Sequence, residues 1–300
     1  MPPNFPQNLS IAPSAHPSVK LSPHFSHNAQ CEAITQYGIA GRVWESAYLT
    51  SLYVDPLPNL EFDLPFPGVS SPLTIIELGS GTGIVAAAIA QVLDAQRDLV
   101  VATDLPDVCP LLEKNLSAVP ATLVRPLTWG NNEHLRRISS ELSSMSDPRK
   151  LTHIICSDLI YFPELLAPLL RCLLHLTSES FVQNSSPPVV IISYKIRSLI
   201  KESPFWSAFG LWFDFQPILA RAILIPKTTQ ERAEVVETQW YRFGADEENM
   251  FIFVAHRKPE SVGWQIPTKD HDLLNGVYAG GSSETKHDDT FESLLLLSLQ

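Results

Sequence analysis

Apolar positions along this chain fall into two kinds of block. Residues 73–78, 99–104, 121–127, 152–157, 188–194, 213–224 and 250–256 are short, nearly continuous and rich in Val and Ile, the pattern of strands buried on both faces. Residues 84–93, 107–116, 163–176 and 196–209 lie between them and read as helices packed on a sheet. A further helical stretch over 39–54 carries Val43, Trp44, Ala47, Tyr48, Leu49, Leu52 and Tyr53, and Asp55-Pro56 ends it. Strand–helix alternation of this kind predicts an α/β fold built on a doubly wound sheet of seven strands. The last two strands have no helix between them; a polar insertion over 226–248 takes its place. Residues 56–72 read as a proline-rich connection, and 137–150 and 178–187 as serine-rich loops.

The ends differ from the middle. Residues 1–30 hold six prolines with Ser, Asn and His, which predicts a disordered extension. Residues 31–257 form the expected domain, with 38–54 as a helical cap. Residues 258–300 read as a polar tail whose apolar end, 291–299, is free to dock or to bind a partner.

Composition narrows the function classes. A chain of 300 residues with 45% hydrophobic content supports one substantial domain. The formal charge of −11 argues against general affinity for nucleic acid. Cys31, Cys109, Cys156 and Cys172 form no CxxC pair, so no disulfide framework and no metal site is expected. No apolar block resembles a signal peptide or a membrane span. The expectation is a monomer free of membranes, cytoplasmic and also suited to the nucleus.

The chemistry centres on the end of the first strand. Glu77-Leu-Gly79-Ser80-Gly81-Thr-Gly83 is a glycine-rich turn between strand and helix, where main chain lies open to close approach by a ligand. Ile84 stands where a dinucleotide fingerprint has its third glycine, which argues against a nicotinamide dehydrogenase. Asp104 closes the next strand at the distance where a carboxylate accepts both hydroxyls of a ribose, or alternatively caps the following helix.

Together, the turn and Ala102-Thr103-Asp104 resemble the S-adenosylmethionine-binding half of the seven-strand methyltransferases. Three further segments sharpen the likeness: Gly41-Arg42-Val43-Trp44-Glu45, Leu127-Thr128-Trp129-Gly130 and Ser157-Asp158-Leu159-Ile160-Tyr161. In this order they look like methyltransferase family 16, the protein-lysine methyltransferases, over about residues 38–257. The resemblance implies a Rossmann-like sheet with a terminal antiparallel strand and S-adenosylmethionine as cofactor. It implies that Glu77 meets the methionine end, that Gly79, Ser80 and Gly81 line the turn, and that Asp104 holds the ribose. Trp129 would face the adenine, Trp44 would close over the cofactor, and Ser157 would contact the adenosine.

Asp158 and Tyr161 are the catalytic candidates. A carboxylate attracts the incoming lysine ammonium, and an aromatic ring offers a cation–π wall to lysine and sulfonium. The structural alternatives are a helix cap for Asp158 and plain packing for Tyr161 and Trp44. Lys195-Ile196-Arg197 resembles a basic segment of relatives near the substrate mouth and is assigned no catalytic role. Glu231, Glu234 and Glu237 form an acidic run that reads as a solvated helix face, with attraction of a basic substrate as the alternative. The expected function is methyl transfer to a lysine of a protein substrate. The alternatives are a small-molecule or nucleic-acid acceptor, against which Asp158-Leu-Ile-Tyr161 lacks the prolines of base-amine enzymes, and a non-catalytic cofactor-binding scaffold.

Overall fold

Side-chain alternation along the strands divides the apolar residues of the sheet between its two faces. Ile76, Val101, Ile154, Ile192 and Phe253 point into one core, and Ile75, Val100, Ile155, Ile191 and Ile252 into the other. The computed structural model describes residues 11–67, 72–178, 181, 186–223, 239–246 and 249–297.

The parallel part of the sheet is made of β2 (Thr74–Leu78), β3 (Leu99–Asp104), β4 (Thr122–Pro126), β5 (His153–Ser157) and β6 (Val189–Lys195), and two further strands, β7 (Phe213–Pro217) and β10 (Met250–Arg257), complete it. The order is β4-β3-β2-β5-β6-β10-β7. The last strand, β10, runs antiparallel to both neighbours and lies between β6 and the edge strand β7. Helices α2 (Glu45–Val54), α3 (Ile84–Val92) and α4 (Cys109–Leu116) supply one core. Helices α5 (Asn132–Ser144), α6 (Pro163–Leu176) and α7 (Leu199–Trp212) supply the other. The result is the doubly wound seven-stranded fold that the alternation predicts.

Several expectations need correction. The stretch 213–224 is two strands: Pro217 has no N–H to continue the ladder, and beyond Ile218 the chain joins a second sheet. That small antiparallel sheet has the order β1-β8-β9, from β1 (Leu60–Phe62), β8 (Leu219–Ala222) and β9 (Tyr241–Arg242). Most of the 226–248 insertion, including its acidic run, lies outside the described residues. Residues 132–144, partly read as a serine-rich loop, form α5. The Asn131 side chain caps it by accepting from Glu133 and His134 N–H at 2.9 and 3.2 Å, and Leu135, Ile138 and Leu142 are buried at helical spacing.

The two ends are also folded where they are described. From residue 11 onward the N-terminal stretch packs on the domain, contrary to the expected disorder; residues 1–10 lie outside the described set. Gln30, buried at the start of α1 (His27–Tyr37), explains this. Its amide oxygen accepts from Ser14 N and Val43 N at 3.1 Å each, and its amide nitrogen donates to Ser14 and Phe25 carbonyls at 2.9 Å each. All four hydrogen-bonding positions are filled, so burying this polar group costs little.

Residues 258–297, read as a polar tail, return to the helical layer. The short helix α8 (Asp270–Leu274) packs on α6 and α7, and α9 (Thr290–Leu297) packs on α7. Their anchors are few: Leu273 and Phe291 are both fully buried. Arg257 fixes the turn into this segment, bonding Ser261 and Thr177 while lying 4.8 Å from the Trp212 ring centroid.

At Gly41, in the 3-10 turn Gly38–Gly41 between α1 and α2, main chain meets main chain. A Cβ there would lie 2.2 Å from the carbonyl carbon of Ala33 and 2.3 Å from Ile34 N. Gly41→Ala is therefore expected to destabilise the fold by about 1–3 kcal/mol, read as a fall in the midpoint of urea unfolding. An unchanged midpoint would mean that α1 is not seated on this turn.

Candidate functional site

Strands β2, β3 and β5 end at the same edge of the sheet, where an open parallel sheet forms its ligand crevice. A cavity of about 870 Å³ lies there. Its roof is the segment from Ile34 to Trp44, which the Gln30 hub holds over the strand ends. Trp44, Glu77, Gly79, Ser80, Gly81, Asp104, Trp129, Ser157, Asp158 and Tyr161 all line it, so the structure brings every predicted site residue to one place.

The turn after β2 has the backbone that its glycines permit. Gly79, Gly81 and Gly83 have φ of +57°, +53° and +84°. A Cβ on Gly79 would lie 2.7 Å from Leu159 Cδ2 and 3.2 Å from Trp129 Cζ2, so the main chain here is packed beneath two cavity-lining side chains. Ser80 ties the turn to two strands: its N–H donates to the Thr103 carbonyl at 2.9 Å, its Oγ accepts from Thr103 N at 3.1 Å, and the same Oγ donates to the Glu77 carbonyl at 3.4 Å. Its role in this geometry is to clamp the turn to the neighbouring strand.

Two acids dominate the electrostatics. Glu77 is 2% exposed, and its Oε2 has no hydrogen-bond partner. Burial pushes its carboxyl up to about 8, and the nearby charge of Asp104 adds to this. Asp104 accepts from Gly81 N at 2.8 Å through Oδ2 and from Leu105 N at 2.7 Å through Oδ1. Burial raises it to about 6 against the pull of those two N–H groups. Each oxygen keeps a further lone pair for a ligand hydroxyl. It does not serve as the side-chain cap of α4, whose N-cap is Val108.

The far wall carries the catalytic candidates. Ser157 ends a hydroxyl chain in which Thr50 donates to Ser193 at 2.5 Å and Ser193 to Ser157 at 3.2 Å. Asp158 follows with φ +62° and its side chain almost wholly buried. It is not a helix cap, since the N-cap of α6 is Phe162. Its carboxylate is paired: both of its oxygens accept from Arg197 at 2.6 Å. The Tyr161 hydroxyl has no partner among the described residues, and burial raises its pKa so that it keeps its proton.

Trp44 is flanked by cations. The guanidinium carbon of Arg42 lies 4.3 Å from its ring centroid and that of Arg197 5.4 Å, and its Nε1 donates to the Ile39 carbonyl at 3.0 Å. Glu45 bridges the two arginines, at 2.6 Å from Arg42 and 3.6 Å from Arg197. Arg42, Glu45 and Arg197 are the residues that the sequence reading left without a role. Arg42 and Glu45 sit inside the motif around Trp44, and Arg197 in the basic segment after β6, but only the fold brings them together. Among the described residues no group of three or more His, Cys, Asp or Glu could hold a metal ion, and no helix is long and apolar enough to cross a membrane.

The family model described as lysine methyltransferase matches residues 26–209. Protein N-lysine methyltransferase METTL21A of Mus musculus is 33% identical over 168 residues, covering 54% of this chain and 63% of the relative. Protein-lysine N-methyltransferase EFM6 of Saccharomyces cerevisiae is 27% identical over 175 residues, covering 56% of this chain and 68% of the relative. The match thus spans just under two thirds of the mouse relative's length. Among solved structures, precorrin-6y C5,15-methyltransferase from Geobacter metallireducens aligns with 70% of this chain and 87% of its own, at 12% identity and a TM-score of 0.35.

Proposed function

This chain belongs to the lysine methyltransferase family, and we propose that it transfers a methyl group from S-adenosylmethionine to the side-chain amine of a lysine in a protein. The observation that carries the reading is Glu77, a buried carboxylate with an orphaned oxygen at the wall of a cavity that also holds Asp104, Asp158 and Tyr161. A buried acid with one oxygen left unpaired is costly, and a cationic ligand group relieves that cost.

The residues fit such a ligand. Glu77 supplies a counter-charge for the ammonium of the methionine end. Asp104 offers its remaining lone pairs to two ribose hydroxyls, and Trp129, which lies over Gly79, gives a flat apolar wall to a base. S-adenosylmethionine, when bound, supplies an electrophilic methyl carbon on a sulfonium. The chain's own residues then have to orient an amine and exclude water. A lysine held there would give its extra proton to solvent, its nitrogen lone pair would then be free to take the methyl group, and the carbon–sulfur electron pair would remain with sulfur. Tyr161, on the cavity wall, would hold the nitrogen through its ring and hydroxyl, and Trp44, in the roof, would close over it.

The test is transfer of labelled methyl groups into cell extract. Wild type is expected to label protein that protease treatment degrades, and Tyr161→Phe and Asp158→Ala to lower that labelling about tenfold or more. Label that survives protease would point to a small-molecule or nucleic-acid acceptor. Full labelling by both variants would overturn the roles given to the pair.

A further inference from the structure

Arg197 is held in place more firmly than a solvated charge at a strand end would be. Its two terminal nitrogens grip both oxygens of Asp158, and Nη1 also donates to the Lys195 carbonyl at 3.1 Å. The turn that carries it is fixed by Glu202, a buried residue of α7. Glu202 accepts from Arg197 N at 3.2 Å and Ser198 N at 3.0 Å, and from the Tyr194 hydroxyl. The guanidinium therefore reaches Asp158 from a rigid base, with 30% of its side chain left exposed beside Trp44.

Arg42, Lys195 and Arg197 face Glu45, Asp158 and Glu202, so the formal charges cancel. Tyr161 keeps its proton, and the acids that act on it besides Asp158 are Asp104 at the end of β3 and Glu164 at the start of α6. Glu77 and Asp107 complete the acidic groups of the cavity wall.

We propose that Arg197 is a positioning residue that sets the protonation state of the acceptor: by neutralising Asp158 it makes the subsite beside Trp44 and Tyr161 take a neutral primary amine in preference to an ammonium. The inference rests on the methyl-transfer reading above. A lysine ammonium has no lone pair, and its ordinary pKa is about 10.4, so the amine must lose a proton before it can attack. A bare, buried Asp158 would hold that proton on the nitrogen. Paired with a permanent guanidinium it does not, and the same guanidinium repels a second cation while leaving a neutral amine unopposed.

The probe is n-butylamine, titrated calorimetrically into the protein saturated with S-adenosylhomocysteine between pH 7 and 9.5. Wild type is expected to bind it about tenfold or more tightly at the upper pH, following the neutral fraction of the amine. Arg197→Met is expected to bind the ammonium at pH 7 more tightly than wild type and to lose most of that rise. The double variant Arg197→Met/Asp158→Asn leaves no buried charge unpaired and is expected to recover the rise, which a purely structural role for Arg197 does not produce. It also serves if the single variant fails to fold. Flat binding in wild type, or in the double variant, overturns the inference. If the amine data hold while no protein in extract is labelled, the amine-selective subsite stands and the protein-lysine acceptor falls. Labelled protein with flat amine binding removes the inference alone.

Discussion

Glu77→Gln is expected to make the ligand-free protein more stable and its cosubstrate binding weaker. In the folded chain the Glu77 carboxyl titrates near 8, against an ordinary value of 4.5. Between those two values the folded state holds a proton that the unfolded state has released. This group therefore lowers stability progressively as pH rises through that interval, and its cost is full above about 8. Glutamine keeps the shape and has no proton to lose. The gain should be negligible near pH 4.5 and reach the order of a few kcal/mol at pH 8, read from urea unfolding at both values.

Binding should move in the opposite sense. A ligand ammonium beside Glu77 favours the ionised carboxylate, so S-adenosylhomocysteine affinity should strengthen from pH 6 toward 8 in wild type. It should be about 10- to 100-fold weaker in the variant, the loss of one charge-assisted hydrogen bond, with the slope gone. A variant that binds as tightly as wild type with the same pH slope would remove Glu77 from the ligand site.

Phe291→Ala is expected to cost about 3–5 kcal/mol, a large share of the roughly 5–15 kcal/mol that holds a folded domain. The ring is fully buried and stacks on Trp206 with centroids 4.7 Å apart and planes at 9°. Tyr194, Phe251 and Phe253 surround it at 6.0–6.5 Å. Truncating it leaves a cavity in an aromatic cluster that cannot close around the gap. A loss below about 1 kcal/mol would show that α9 is not docked.

How much of this could be read from residues alone varies with distance along the chain. The limits of β3 and α6 coincide with the expected 99–104 and 163–176, because Asp104-Leu-Pro and Pro163 punctuate strong apolar blocks. Leu135, Ile138 and Leu142 carry a clear helical period too, but serines at 139, 140, 143 and 144 hid it; Ser143 and Ser144 return their hydroxyls to Ser139 and Glu141 carbonyls. The tail is less legible for a similar reason: docking of its apolar end over 291–299 is one of two outcomes that the sequence leaves open, and its anchors Leu273 and Phe291 are diluted by polar neighbours. In the site, the motifs located Trp44, Glu77, Asp104 and Asp158 in one cavity. They could not show that Asp158 is paired, because its partner is 39 residues away and nothing local marks Arg197 as anything but a surface cation.

The position of β10 carries a consequence for synthesis. It is made last but sits inside the sheet, between β6 and β7. During translation the edge of β6 is finished at Lys195, yet the strand that covers it ends at Arg257. At about 5–20 residues per second that interval lasts roughly 3–12 s. Throughout it, β6 presents unpaired N–H and C=O groups, and β7 has no ladder to join. The nascent chain thus passes through a stage with an open, apolar strand edge. That is the stage at which a neighbouring nascent chain competes with β10 for the same hydrogen bonds.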